Sequence, residues 1–290
     1  IAVTVDLTAP NKPVLIAPVS ATNNTKPAIT GTAEALSTVT VYDGTTSLGT
    51  VAASSTGAWS FAPSVELTEG AHTITATARD VAGNLSPASA PVTLTIDLTA
   101  PNKPVLTTAT GATNNTKPVI AGTAEAGSTV TVYDGSTAMG SVKASSTGAW
   151  TFTPTTALAV GDRSITAKAK DVAGNVSEAS AAITLTVDTT APNKPVLTTA
   201  NTTTNNTKPT IAGTAEANST VTVYDGTTAL GTATAGSDGA WSFTPTTALS
   251  AAVHSITAKS KDAAGNISLA STAIAVTVDL TAPNKPVLIA

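Results

Sequence analysis

Short runs in which apolar and polar residues alternate one by one recur along the whole chain, separated by clusters of Gly, Asp, Asn, Pro and Ser. In the N-terminal third the runs are Ile29 to Glu34 (ITGTAE), Thr38 to Asp43 (TVTVYD), Ala58 to Phe61 (AWSF), His72 to Asp80 (HTITATARD) and Val92 to Asp97 (VTLTID). A period of two sends successive side chains to opposite faces of an extended chain, so the pattern predicts half-buried β-strands and an all-β fold. Ile29, Val39, Val41, Trp59, Phe61, Ile74, Ala76, Val92, Leu94 and Ile96 share one face, and Thr40, Thr73, Thr75, Thr93 and Thr95 share the other. Threonine keeps β propensity on a solvated face without creating an apolar patch. Asp43-Gly44 followed by a strand around Leu48 to Val51 predicts a tight hairpin, and Thr56-Gly57 and Glu69-Gly70 mark further turns.

The whole pattern then repeats. Trp59, Trp150 and Trp241 are 91 residues apart, as are Asp6, Asp97, Asp188 and Asp279. A fixed period marks a tandem array of modules, in which a residue present in every copy serves the module or its joints. The boundaries expected are 1–5 for the last strand of a preceding module, 6–96, 97–187 and 188–278 for three modules, and 279–290 for a linker and the start of a following one. Ile1 to Ala17 is identical to Ile274 to Ala290, at three periods, which suggests a parent built of three-module blocks. About seven strands per period fits an immunoglobulin-like β-sandwich, so the fold expected is a tandem array of three such sandwiches in an extended rod.

The segments GTAEA, TVTVYDG, STGAWSF, the DVAGN that follows ITATAR, and the joint VDTTAP resemble the bacterial immunoglobulin-like repeats of large secreted or biofilm-associated cell-surface adhesins. The resemblance covers the whole chain. It departs from antibody domains in having no cysteine pair and in placing the tryptophan in a later strand, so antibody-type binding loops do not carry over.

Nine of the eighteen acidic residues form three equivalent triplets: Asp6, Glu34 and Asp80; Asp97, Glu125 and Asp171; Asp188, Glu216 and Asp262. Asp279 would begin a fourth. In a sandwich of alternating up and down strands, the incoming linker, the loop carrying Glu34 and the loop carrying Asp80 lie at the pole that faces the preceding module. Three carboxylates gathered there would repel by roughly 1 kcal/mol per pair even in water-like screening, which a cation relieves. Calcium takes six to eight hard oxygens in loose geometry, and Asn84, backbone carbonyls or water could complete its shell. The resemblance implies the same, since calcium sits between successive modules of such adhesin repeats and stiffens them. The competing reading has Glu34 and Asp80 capping turns or pairing with Lys12 and Arg79. The linker Leu7-Thr8-Ala9-Pro10-Asn11-Lys12-Pro13 carries two prolines that fix φ and favour a short, stiff connection. Its PxxP spacing reads as a spacer rather than as a recognition motif.

Other chemistry finds little support. With no cysteine the chain has neither disulfides nor thiolate metal sites. A net charge of −4 with scattered lysines argues against nucleic-acid or anionic-membrane partners, no apolar stretch is long enough for a transmembrane helix, and any export signal is expected outside this sequence. His72 and His254 are replaced by Arg163 in the middle copy, which argues against catalysis and for a solvated position at the start of a strand. No enzyme is expected. A glycan- or matrix-binding module is the alternative function, but each copy offers one Trp, one Tyr and one Phe, with Trp59 and Phe61 facing inward and only Tyr42 left to form a platform. Met139 reads as core filler, and the sequons at Asn23 and Asn84 read as turns. The function expected is therefore the extension region of a bacterial surface adhesin: calcium-stiffened repeats, outside the cell, that project a distal binding domain. Its partners would be the neighbouring modules, a tip ligand beyond this sequence and possible lateral fibres.

Overall fold

The computed structural model describes residues 5–16 and 21–285. The strand expected over 1–5 and the module start expected at the C-terminus therefore fall largely outside the described residues. The first module contains β1 (Val14–Ile16), β2 (Ala21–Thr22), β3 (Ile29–Thr32), β4 (Thr38–Asp43), β5 (Thr46–Ala52), β6 (Ala58–Phe61), β7 (Gly70–Arg79) and β8 (Val92–Ile96). They form a three-stranded sheet in the order β1-β3-β6 and a five-stranded sheet in the order β2-β8-β7-β4-β5. The same eight recur from Val105–Leu106 to Ile183–Val187 and from Val196–Leu197 to Ile274–Val278. The architecture is all-β, in three tandem immunoglobulin-like sandwiches.

Eight pieces replace the expected seven because the first strand is divided between the sheets. β1 pairs antiparallel with β3, while β2 pairs parallel with β8. Pieces of two or three residues are too short to display a period, so the pattern could not announce them. By switching sheets, the strand covers an edge of each and leaves fewer unpaired backbone groups open.

The inward face is the one the alternation indicates. Val39, Val41, Ile74, Ala76, Leu94 and Ile96 are buried, with Trp59 among them, and Trp150 and Trp241 take the same place in their modules. The tryptophans fit because the facing strand carries glycine: a Cβ on Gly122 would lie 2.5 Å from Trp150 Cζ2 and would also strike the Val105 carbonyl. The hairpin after β4 turns at Gly44 (φ +53°) and Thr45; glycine at the first central position, with the second at negative φ, is the II′ arrangement that matches strand twist.

Two serines per module complete the five-stranded sheet where the connection between β7 and β8 leaves amides unpaired. Ser86 and Ser89 Oγ accept from the Ala78 and Ala76 amides at 2.8 and 3.0 Å, and the equivalents Ser177, Ser180, Ser268 and Ser271 do the same. The histidines correct the sequence reading: His72 and His254 are buried, at 8% and 7% exposure, not solvated. Each shares the inward parity of the isoleucine two residues later, and its ring is taken inside because both nitrogens find partners.

Candidate functional site at the module joints

Each joint is built by an Asp-x-x-x-Asn turn at the end of a long strand. After β7, Asp80 Oδ1 accepts from the Asn84 amide at 2.8 Å and Oδ2 from the Asn84 side chain at 2.8 Å, closing the DVAGN loop. The Asn84 side-chain amide also reaches the Asp6 carbonyl of the incoming linker, at 3.1 Å. The same clamp recurs at each later joint. Asn175 Nδ2 donates to the Asp97 carbonyl at 2.9 Å and to Asp171 Oδ2 at 2.8 Å. Asn266 Nδ2 donates to the Asp188 carbonyl at 2.8 Å and to Asp262 Oδ2 at 2.8 Å.

A second contact crosses from one module to the next. The Asn23 amide of the first module donates to the Ala173 carbonyl in the second module's DVAGN loop at 3.0 Å, and Asn114 donates to Ala264 of the third at 3.0 Å. The loops approach closely: a Cβ on Gly174 would lie 3.3 Å from the Asn23 side chain. The linker prolines Pro101, Pro104, Pro192 and Pro195 are buried, so the linker is seated on its module as well as restricted in φ, and PxxP recognition has no free ring to use. Each linker aspartate adds its own turn, Asp97 Oδ1 accepting from the Thr99 amide at 3.0 Å and Asp188 Oδ1 from the Thr190 amide at 2.9 Å.

The electrostatics follow from these donors. The Asn84 side chain, with the Asn84 and neighbouring backbone amides, holds the Asp80 carboxyl below its ordinary value against a smaller opposing effect of burial. At Asp262 burial raises the pKa, but the Asn266 side chain and the Asn266, Gly265 and Ala264 amides outweigh it and the net direction is down. Asp279, bonded by Thr281, is also lowered.

The three members of each triplet are placed differently. The linker and loop aspartates are joined through the asparagine amide, and Asp97, Asp171, Asp188 and Asp262 are half-buried. Glu34, Glu125 and Glu216 are exposed; Glu125 lines a shallow hollow with linker residues Asn102 and Lys103, and Glu216 with Asn193 and Lys194. Their carbonyls accept from Ser37, Ser128 and Ser219, which caps the turn. Asp80 caps its own loop, in keeping with the capping reading, while Arg79 donates to the Gly83 carbonyl. Among the described residues no three Asp, Glu or His side chains form a metal-holding group. The donor chemistry nevertheless suits a hard cation: carboxylates, an amide oxygen and carbonyls, with lone pairs beyond those the amides use.

Sequence reasoning assigned the asparagines to turns or to the margin of a metal shell and missed their role as clamps. Their signal was the period itself, since Asn23 and Asn114, and Asn84, Asn175 and Asn266, recur 91 residues apart. Among the described residues no aromatic platform is exposed: the tryptophans are buried and Tyr42 is half-buried. Among the described residues no helix is long and apolar enough to cross a membrane.

Residues 18–98, 107–189 and 197–280 each match the family described as bacterial Ig-like domain. No curated protein matches the chain. Among solved structures, the fibronectin(III)-like modules of CbhA from Clostridium thermocellum are 17% identical with a TM-score of 0.41, over 61% of this chain and 94% of theirs. A tetra-tandem repeat from the extending region of a large adhesion protein is 22% identical with a TM-score of 0.30, over 95% of this chain and 76% of its own. The BSP domain of a biofilm-associated protein is 13% identical with a TM-score of 0.26, over 95% and 67%.

Proposed function

The chain belongs to the bacterial Ig-like domain family, and on that footing we propose that it is a non-catalytic spacer in the extension region of a bacterial surface adhesin. Its modules hold a distal binding domain away from the cell. The single observation that carries this reading is the identity of the two joints: the same asparagine clamp and the same crossing amide-to-carbonyl bond close the first and the second. A chain that must hold its modules in line needs equal, short and doubly tethered connections. One whose modules act independently does not.

Calcium at these joints is part of the proposal. Asp97 and Asp171 with the Asn175 oxygen would hold it at the first joint and Asp188 and Asp262 with the Asn266 oxygen at the second. Asp6 and Asp80 with Asn84 would do so at the entrance, Glu34, Glu125 and Glu216 would border these sites, and Asp279 would begin the next one. A bound dication would supply charge neutralisation where two aspartates share one asparagine. If it binds only the closed joint, mass action adds roughly 2.7 kcal/mol per site at a hundredfold excess over its dissociation constant.

Small-angle scattering of the intact chain in calcium and in chelator tests this. Calcium is expected to extend the maximum dimension, and Asp188→Ala to shrink that change while circular dichroism stays constant. A scattering curve indifferent to chelator removes the ion and leaves the hydrogen-bonded clamps as the only locks. Binding to a glycan array by the triplet would overturn the spacer reading itself.

A further inference from the structure

In each module a basic side chain is seated between the hairpin that follows β4 and the segment that leads into β7. In the first module it is His72: Nδ1 lies 2.7 Å from Asp43 Oδ2, and Nε2 lies 2.8 Å from the Thr68 carbonyl. In the third it is His254, 2.6 Å from Asp225 Oδ2 and 3.0 Å from the Ser250 carbonyl. The middle module has Arg163, which donates to Asp134 Oδ2 at 3.4 Å and to the Val160 carbonyl at 3.3 Å.

Both nitrogens of each imidazole thus face an oxygen acceptor. A neutral imidazole has one N–H and one lone pair, so it can satisfy only one of the two and must turn a lone pair toward the other. Only the imidazolium donates to both. The rings are nearly enclosed, with side-chain exposures of 9% and 8%, so water does not readily take the place of a lost partner. We propose that His72 and His254 are proton-operated locks, closed as imidazolium and released as neutral imidazole, and that Arg163 is the same lock held permanently shut.

What the lock holds lies beside the joint. Asp43 ends β4, and the Gly44 amide that follows it ties the hairpin to β7 by donating to the Thr73 carbonyl at 2.8 Å. The segment that presents the Thr68 carbonyl continues into Glu69, whose carboxylate accepts from the hydroxyl of Thr99 in the outgoing linker at 2.6 Å. Deprotonation of His72 would therefore free its hairpin and a loop that touches the next linker, and deprotonation of His254 would free its hairpin, since Ala251 stands where the first module has Glu69. The joint that follows the middle module would not respond.

The charged group facing each ring is the aspartate of its hairpin. Across β8 the cross-strand partner of His72 is Leu94, that of His254 is Val276, and the residues opposite Asp43 and Asp225 in the hairpin are Thr46 and Thr228. Glu69 is turned to Thr99. The balance of these environments agrees with the geometry. At His72 burial lowers the pKa, but the Thr68 carbonyl and Asp43 outweigh it. At His254 the Ser250 carbonyl leads, against burial and with Asp225, and the net direction is again up. A folded value raised above the unfolded one gives stability that is present below the unfolded pKa of about 6.5 and lost as pH rises through the folded value. The outer modules should loosen as pH rises through the folded values, above about 6.5.

The chain contains two histidines and three tryptophans, so the test uses the intact protein with two imidazole signals. Nuclear magnetic resonance titration of both rings, assigned with His72→Arg, is paired with exchange of the hairpin amides of Gly44, Gly135 and Gly226, corrected for intrinsic rates. The expected result is two titration midpoints above about 6.5, both ring nitrogens protonated below them, and protection of Gly44 and Gly226 lost through the same range while Gly135 stays constant. The double variant His72→Arg, His254→Arg should make all three hairpins behave like Gly135. Midpoints at or below about 6.5 overturn the proposal, as does a Gly135 amide that follows the same course as the other two.

Discussion

Replacing Asn175 with Ala removes one side chain and, with it, two bonds that no other group supplies: 2.9 Å to the Asp97 carbonyl and 2.8 Å to the Asp171 carboxylate. A neutral hydrogen bond contributes about 0.5–1.5 kcal/mol and one to a charged group about 1.5–3 kcal/mol. Asn175 is half-exposed, so both belong near the lower end, and the closed joint should lose about 2 kcal/mol, roughly a thirtyfold change in its closed-to-open ratio. The core of neither module is touched, and the Asn23 to Ala173 bond and the buried prolines remain, so the joint should swing rather than separate. Because the chain lacks cysteine, spin labels at Thr50→Cys and Ser141→Cys report on this joint alone. Pulsed electron resonance should give a narrow distance distribution for the parent chain and a broad one for the Asn175→Ala chain, with Asn266→Ala leaving this pair of labels unaffected. An equally narrow distribution in the Asn175→Ala chain would refute the clamp.

Trp150→Ala should cost on the order of 3–5 kcal/mol and melt chiefly the middle module, read by calorimetry as one domain transition moving away from the others. Gly122→Ala places a methyl group against the Trp150 ring and the Val105 carbonyl, which cannot rotate away; a loss at the upper end of the usual 1–3 kcal/mol for overpacking is expected in the same experiment. Acid should open the joint before the third module ahead of the cores: Asp262 has a lowered folded value, so its contribution is intact above the ordinary carboxylate pKa and disappears as pH falls through the folded value, below about 3.9. Label distances that broaden while the tryptophan signal is unchanged would show it, and simultaneous loss of both would count against it.

How much of this was legible in the sequence follows from the range of each signal. The strands β3 to β8 were legible because alternation and glycine turns act within a few residues; Val39 and Val41 announce their burial by phase alone. The divided first strand was not, since β1 and β2 take their identity from partners elsewhere in the module. His72 carried a correct signal that its polarity obscured. It has the parity of Ile74, and the acceptors that make burial tolerable come from Asp43 and Thr68, one of them a backbone atom without a sequence signature. The pole that holds the joint could be read from topology, and the linker and DVAGN aspartates lie together there. The atoms that close it could not, because the clamp uses an asparagine amide and two backbone carbonyls. The exposed glutamates bear the same charge as those aspartates, and charge alone does not tell which will be drawn into a joint.

The central claim is that hydrogen-bonded joints hold the three modules in line as a spacer. Labels at Thr50→Cys and Thr232→Cys, in equivalent strands of the first and third modules, test it most directly, since flexibility at either joint adds to the spread between them. The account predicts one narrow distance distribution in the intact chain, broadened by Asn175→Ala and broadened further when Asn266→Ala is added. A broad distribution in the unmodified chain, unchanged by either substitution, would contradict it.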